Sequence, residues 1–384
     1  IAAIGPDPIV ERLGPDRQGA GSAPVPVVDL DGALVLPGFV EAHTHLDKTL
    51  WGLEWRPHAA GPALEDKIDD ERRMRREIDL DPARQSARLV ALAVAHGSTH
   101  IRSHVDIDTE QGLRGIEGVM ATREASAAQV DIELVAFPQS GLLRRPGTFE
   151  LMEAALRAGV EVVGGLDPCA IDRDPKGHLD AIFDLAHRHG RAIDIHLHEP
   201  GEMGAFSLEL IFERVRALGM QGRVVVSHAF CLGSLESERV EVLIEQLSAL
   251  QIAIMTTGPA ARPTPPVKRL LEAGVRVCAG SDGVRDAWSP YGNADMLERA
   301  MLIGLRNNFR RDEDIALALH ACTQGGADAL QLPDYGLRVG GFADLVVVAG
   351  ESVAQAVAAR PPRQAVVKRG RIVARNGAVC DVRP

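Results

Sequence analysis

Two histidines one residue apart, His43 and His45, close the run LVLPGFVEAHTH. Residues two apart in a strand face the same side, so both imidazoles can serve one metal ion. Alone, the pair reads equally as two polar strand-end residues. His196 and Asp282, each ending a later apolar run, favour the metal. Imidazole nitrogens with one carboxylate form a borderline donor set suited to one Zn²⁺ or Fe²⁺, whereas Ca²⁺ and Mg²⁺ want more oxygens. Glu199 stands just past His196, where a carboxylate can carry protons between water and substrate. Its plainer reading is a solvated loop or helix-start glutamate. His228 ends VVVSH and is suited to polarising water or holding an oxyanion, or to being a buried structural histidine. Asp282 follows Gly280-Ser281 and reads as a ligand and proton acceptor, or simply as a turn cap.

These residues share one kind of position. Apolar, largely β-branched runs (THIRSHVDI, IELVAFPQ, VEVVGGLDP, AIDIHLHE, RVVVSHA, QIAIMTT, VRVCAGSD) alternate with helix-like stretches at residues 82–95, 149–158, 179–189 and 235–250. Strand–helix alternation implies βαβ units and a parallel sheet. With the strand entering at LVLPGFVEAHTH the candidates suffice to close a (β/α)₈ barrel of the TIM type, whose chemistry collects at the C-terminal strand ends. There stand His43, His45, His104, Asp106, Gln139, Asp167, His196, Glu199, His228 and Asp282. An open dinucleotide-binding sheet lacks its GxGxxG turn. The charge-dense residues 65–79 predict a solvated helix that doubles as a candidate lid or subunit contact.

Both ends of the chain have short β-rich runs, as in ADLVVVAG and the hairpin-like QAVVKRGRIVARNG. They predict a small β-sandwich domain from residues 1–36 and 335–384 around a barrel of residues 37–334. Because Ile1 opens in strand-like text, the N-terminal part is expected to be incomplete.

A formal net charge of −11 over 384 residues argues against nucleic-acid binding, which needs basic surface. The five cysteines are scattered, without a CxxC pair, as in a reduced cytoplasmic protein. No run approaches a membrane span, and no signal peptide opens the sequence.

The order HTHLD, IHLHE, VSH, GSD resembles the amidohydrolase superfamily. The fuller text, PGFVEAHTHLDKT, IRSHVDI, VAFPQSG, IDIHLHE, VVSHAF, GSDGVRDAWSPYGNADML and DYGLRVGGFADLVVV, is similar to its cytosine deaminase branch across nearly the whole chain. The resemblance implies one metal on His43, His45, His196 and Asp282. It gives Glu199 proton transfer to the ring nitrogen and leaving amine, and His228 with Asp282 the activation of water. Gln139 would read the ring's amide face. The fourth strand ends GGLDP, without the lysine that bridges a second metal in many relatives, so a mononuclear site is expected. The branch also implies a homo-oligomer with a small heterocyclic substrate.

Departures fall around the substrate. Gly283 stands where cytosine enzymes carry a second aspartate, which predicts more room and one lost hydrogen-bond partner. Asp167 adds a negative charge, and the loop from MTTGPAARPTP is compact. Lys48 follows HTHLD as a rim counter-ion or as a pocket cation, the latter acting with Arg102 on an acidic ring. Trp51 and Trp288 suit ring stacking or core packing. Lys48, His104, Gln139, Asp167 and Trp288 are thus the substrate-binding candidates. The expected activity is hydrolytic deamination of a pyrimidine- or triazine-like ring other than plain cytosine. Alternatives are hydrolysis of a cyclic amide or an N-alkylamino triazine, and a catalytically dead binding barrel, against which the intact polar set speaks.

Overall fold

The computed structural model describes residues 28–61 and 63–381, with the backbone of two short strands before them, β1 (Ala3–Ile4) and β2 (Val10–Arg12). Most of the expected N-terminal part, residues 1–36, lies outside the described residues.

The run LVLPGFVEAHTH divides at Gly38 into β3 (Leu34–Pro37) and β4 (Phe39–Thr44), which join different sheets. A Cβ at Gly38 would lie 2.3 Å from Thr99 Oγ1, so the crossing point admits no side chain. Seven further strands follow β4 in parallel: β5 (Ser98–Asp106), β6 (Asp131–Phe137), β7 (Val162–Leu166), β8 (Ala192–His196), β9 (Val224–Ser227), β10 (Ala253–Thr256) and β11 (Val277–Ala279). Each pairs with its sequence neighbour. The last returns to the first through a parallel bridge between Thr44 and Asp282, where the Asp282 N–H donates to the His43 carbonyl at 2.9 Å. A Cβ at Gly280 would fall 2.4 Å from that carbonyl oxygen, so the seam needs glycine there. The expected eight-stranded barrel is therefore closed by the backbone of two site residues.

Helices α1 (Leu64–Glu77), α2 (Pro82–Ala95), α3 (Arg114–Ala125), α4 (Thr148–Arg157), α5 (Pro175–His189), α6 (Gly201–Leu218), α7 (Ser237–Ala249), α8 (Val267–Glu272), α9 (Met296–Arg306), α10 (Asp312–Ala321) and α11 (Gln324–Leu330) accompany the barrel. In α2, Asp81 caps the Ala83 and Arg84 amides and Pro82 opens the first turn, while Leu89, Val90, Ala93 and Val94 are buried. Parallel strands covered on both faces read as continuous apolar runs, as β7 and the second half of β6 do.

The second sheet is antiparallel, ordered β15-β14-β13-β12-β3, from β12 (Leu345–Val348), β13 (Arg363–Lys368), β14 (Arg371–Arg375) and β15 (Ala378–Val379); α12 (Val353–Ala359) lies between the first two. The hairpin turns through Arg369-Gly370, with a second turn at Asn376-Gly377, all at positive φ. Buried Lys368 pins this sheet to the N-terminal end of the barrel by donating to Asp131 Oδ2 at 2.7 Å, and holds Asp344, just before β12, at 2.8 Å. All five cysteines are free, and no helix among the described residues is long and apolar enough to cross a membrane.

Candidate active site

At the C-terminal end of the barrel, ligand atoms of His43, His45, His196 and Asp282 lie within 4.8 Å of one another. The closing seam sets three of them: His45 Nε2 is 3.2 Å and His43 Nε2 3.6 Å from Asp282 Oδ1. His196 ends β8 and stacks on Phe137, ring centroids 4.1 Å apart. Asp282 takes a left-handed φ of 61°, a conformation costly to a residue with a side chain and concentrated at functional sites.

Several ring nitrogens around the cluster lack a hydrogen-bond partner, although His45 Nε2 approaches Asp282. His43 Nε2, His45 Nδ1, His228 Nε2 and both nitrogens of His196 are buried without a hydrogen bond. An unsatisfied buried polar group costs about 1–3 kcal/mol, so several converging on one point fit a bound cation. Burial, then the charge of Lys48, pushes His45 down to about 4. Burial and the other histidines hold His196 and His228 well below the ordinary range. Neutral imidazoles are the form that ligates metal. The residues thus fit a divalent ion.

Behind them runs an orienting chain. His43 Nδ1 and Ser227 Oγ are 3.0 Å apart, and Ser227 donates to Asp194 Oδ1 at 2.6 Å. Such outer partners fix the tautomer and tilt of a ligating ring. Arg102 belongs here and not at the pocket, donating to Asp194 Oδ2 at 3.0 Å and Glu133 Oε2 at 2.6 Å. The expected partnership with Lys48 fails on depth. Lys48 binds Asp106, four residues further along β5, which is about 13 Å of strand. His104 lies between those layers, fully buried, 4.0 Å from the His43 ring, with burial pushing it to about 3. It packs behind the His43 ring, with Nε2 3.6 Å from Asp194 Oδ2.

Glu199 sits where the β7 and β8 loops meet. Its Oε1 accepts from the amides of Cys169 (2.7 Å) and Ala170 (2.9 Å), and Oε2 from the Ser207 hydroxyl. Burial raises its pKa against those hydrogen bonds. His228 has φ 72°, which turns its ring toward the cluster, 5.1 Å from those of His43 and His196. Asp167 gives both oxygens to His198, at 2.6 Å to its amide and 2.8 Å to Nδ1. What Asp167 offers the mouth is therefore His198, stacked on His228 at 4.3 Å. IHLHE carried that signal, because His198 shares the parity of His196.

Above the cluster lies a buried ionic patch. Lys48 is 1% exposed and donates to Asp106 Oδ1 and Oδ2, each at 3.1 Å, and to Gln139 Oε1 at 2.6 Å. It is buried among these partners and does not snorkel at the rim. Burial opposes its charge, but Asp106 and Glu71 more than restore it and raise its pKa. Helix α1 is no solvated helix: it buries Ile68, Glu71 and Met74 over the mouth. Arg75 from α1 reaches Asp106 Oδ2 at 2.7 Å, and the Trp288 indole donates to Glu71 Oε2 at 2.6 Å. The Trp288 ring lies 5.5 Å from Lys48 Nζ, whereas Trp51 pairs with Arg285. Glu71 and Arg75 were missed as site residues. The helical spacing of Leu64, Ile68, Glu71 and Met74 was the available sign that α1 has an inward face.

A closed β/α barrel with a convergent His/Asp cluster at its C-terminal mouth defines a metal-site barrel of the hydrolase kind. The amidohydrolase family pattern matches residues 26–74 and 74–374. The chain is 33% identical to N-isopropylammelide isopropyl amidohydrolase of Pseudomonas sp. (strain ADP), over 91% of this chain and 88% of that protein. Its structure is similar to that of N-isopropylammelide isopropylaminohydrolase from Burkholderia multivorans ATCC 17616, with TM-score 0.93 and 48% identity over 97% and 94% of the two chains. It is also similar to 5-methylcytosine deaminase from Klebsiella pneumoniae, with TM-score 0.84 and 27% identity over 98% and 94%. The chain belongs to the amidohydrolase family.

Proposed function

We propose that this protein is a metal-dependent hydrolase that replaces an exocyclic amine on a small nitrogen heterocycle with oxygen. The observation that carries the reading is the cluster of His43, His45, His196 and Asp282 ligand atoms within 4.8 Å of one another, with unpartnered nitrogens on His43, His196 and His228. A single Zn²⁺ or Fe²⁺ on His43, His45, His196 and Asp282 would supply the Lewis acidity that makes water nucleophilic near neutral pH.

The chain's own groups do the rest. Asp282 accepts the first proton from the attacking water, with His228 beside it to hold the oxygen in place. Glu199, with its pKa raised by burial, delivers a proton to the ring nitrogen next to the reacting carbon and then to the departing amine. Gln139 Oε1 is tied to Lys48, which leaves its Nε2 donor free for a ring carbonyl. Lys48 and Trp288 complete that wall as a cation and a stacking surface. The fold's α1 covers the mouth and excludes water. The resemblance to its branch and the free cysteines support a cytoplasmic homo-oligomer.

A second reading changes only the leaving group, from ammonia to an alkylamine on a triazine. The 48% identity to the Burkholderia multivorans enzyme favours it. One experiment separates the two: amine release from aminopyrimidines, aminotriazines and N-alkylaminotriazines by zinc- and iron-loaded protein, beside Asp282→Asn. Ammonia or alkylamine from one ring, lost in the variant, is expected. Silence across the panel in metal-replete protein, or equal release by the variant, overturns the proposal.

A further inference from the structure

Gly283 follows the ligand Asp282, and the space its side chain would have filled is already taken. A Cβ built on Gly283 would stand 2.1 Å from Asp286 Oδ2 and 2.8 Å from its Cγ. The absence of a side chain at 283 therefore opens no extra room. The Asp286 carboxylate comes in from three residues further along the loop and occupies the place beside Asp282.

Its two oxygens differ in state. Oδ1 accepts the amides of Trp288 (2.8 Å) and Ser289 (2.9 Å), which fixes the turn and the direction of the carboxylate. Oδ2 is buried with no hydrogen-bond partner, in a residue 1% exposed. Among the described residues it makes no ion pair within 4.0 Å, although the charges of Lys48, Glu71 and Asp282 all act on it. Burial is the main cause that raises this carboxyl to about 6. A rigid, dry acceptor without a donor is either a costly defect or one half of a contact with something absent.

We propose that Asp286 is a specificity-determining residue whose Oδ2 accepts a hydrogen bond from an N–H of the substrate ring or its amine. Gln139 Nε2 presents a donor near Lys48, and Asp286 Oδ2 an acceptor also within the field of Lys48. Taken together, such a donor and acceptor match the carbonyl and the N–H of a lactam edge, –C(=O)–NH–. The site thus selects oxo-substituted rings that keep a ring N–H, and rejects their N-alkylated forms. A site built to pair a polar group discriminates far better than an apolar wall, because the wrong ligand leaves the acceptor unpaired.

This inference rests on the ring-hydrolase reading, so its test uses binding instead of turnover. The probes are neutral cyanuric acid, buffered on the acid side of its first ionisation, and 1,3,5-trimethyl isocyanurate, which has no N–H. Calorimetry on metal-loaded protein compares wild type, Asp286→Asn and Gly283→Ala. Asparagine keeps Oδ1 and its turn but puts a donor in place of Oδ2; alanine at 283 pushes the intact carboxylate aside. Wild type should prefer cyanuric acid by about 10-fold or more, the weight of a single hydrogen bond to a partly ionised carboxyl. Both variants should reduce that preference to within about threefold while keeping their metal. A preference retained in both variants, no preference in wild type, or binding of neither probe overturns the role of Asp286. Preference without amine release from any ring would instead overturn the reaction and leave this role standing.

Discussion

Lys48 and Lys368 are each 1% exposed, at opposite ends of the same barrel, and their surroundings differ in charge balance. Lys368 sits at the N-terminal end with Asp131 and Asp344, and Arg369 adds a second cation 3.1 Å from Asp131. Cations and carboxylates match there, and the Lys368–Asp131 bond joins the small sheet to the barrel. At the mouth, Lys48 and Arg75 face Asp47, Asp106 and Glu71 directly, with Asp286 close by. Carboxylates outnumber cations, so burial raises Asp106 well above its ordinary value while Lys48 and Arg75 bring Glu71 down to about 2. A neutralised patch holds elements together; an unbalanced one, with an acceptor to spare, is arranged for something else. The division follows the barrel rule that the N-terminal face serves stability and the C-terminal face chemistry.

The largest expected effect lies at the balanced end. Lys368→Met leaves buried Asp344 without its cation and half-open Asp131 with Arg369 alone, and breaking a buried pair in this way costs about 3–5 kcal/mol. Chemical denaturation should show that loss, with kcat/KM per folded molecule unchanged. A collapse of kcat/KM in folded Lys368→Met would break the division between the two ends.

The reciprocal change comes next. Lys48→Met removes the charge beside Gln139, and kcat/KM should fall about 10–100-fold, as for one hydrogen bond to a charged group. Its stability should move less than that of Lys368→Met. Asp106 and Asp286 already hold their protons more tightly than ordinary carboxyls, and can stay neutral once the cation is gone. Equal destabilisation by both lysine variants would show that the patch at the mouth is structural after all.

What could be read in the sequence divides along similar lines. Helix 82–95 was legible to the residue because cap, proline and apolar spacing all lie within it. The cluster His43, His45, His196, Asp282 was legible because strand parity and strand ends are local facts, and the barrel rule gathers those ends. The ionic patch was not. Glu71 and Arg75 sit in text so dense with charge that a solvated face was the natural reading, and only the tertiary position of α1 turns them inward. Arg102 shared the parity of Asp106, which tells the face but not the layer. Gly283 was read as an opening because its vacancy was visible in the sequence, while the side chain that fills it, three residues on, was not.

The smallest effect sharpens the contrast through pH. Asp131 is partly open, its side chain 37% exposed, and burial works against its charge. His100 and Lys368 nonetheless hold its carboxyl far below the ordinary carboxylate range. A carboxyl depressed in the folded state contributes stability above its unfolded pKa, about 3.9, and loses it as pH falls toward the folded value. Solvent screening at so exposed a group limits that contribution to about 1 kcal/mol. Asp131→Asn should therefore be slightly less stable than wild type at neutral pH, with the gap narrowing below about pH 4. The mouth carries the opposite sign. Asp106 and Asp286, raised by burial, favour the folded state more as they take up protons, so their contribution grows as pH falls. Unfolding free energies of wild type and Asp131→Asn across the acid range would show the gap closing. A gap that widened with acid would place Asp131 with the unbalanced patch and undo the distinction between the two lysines.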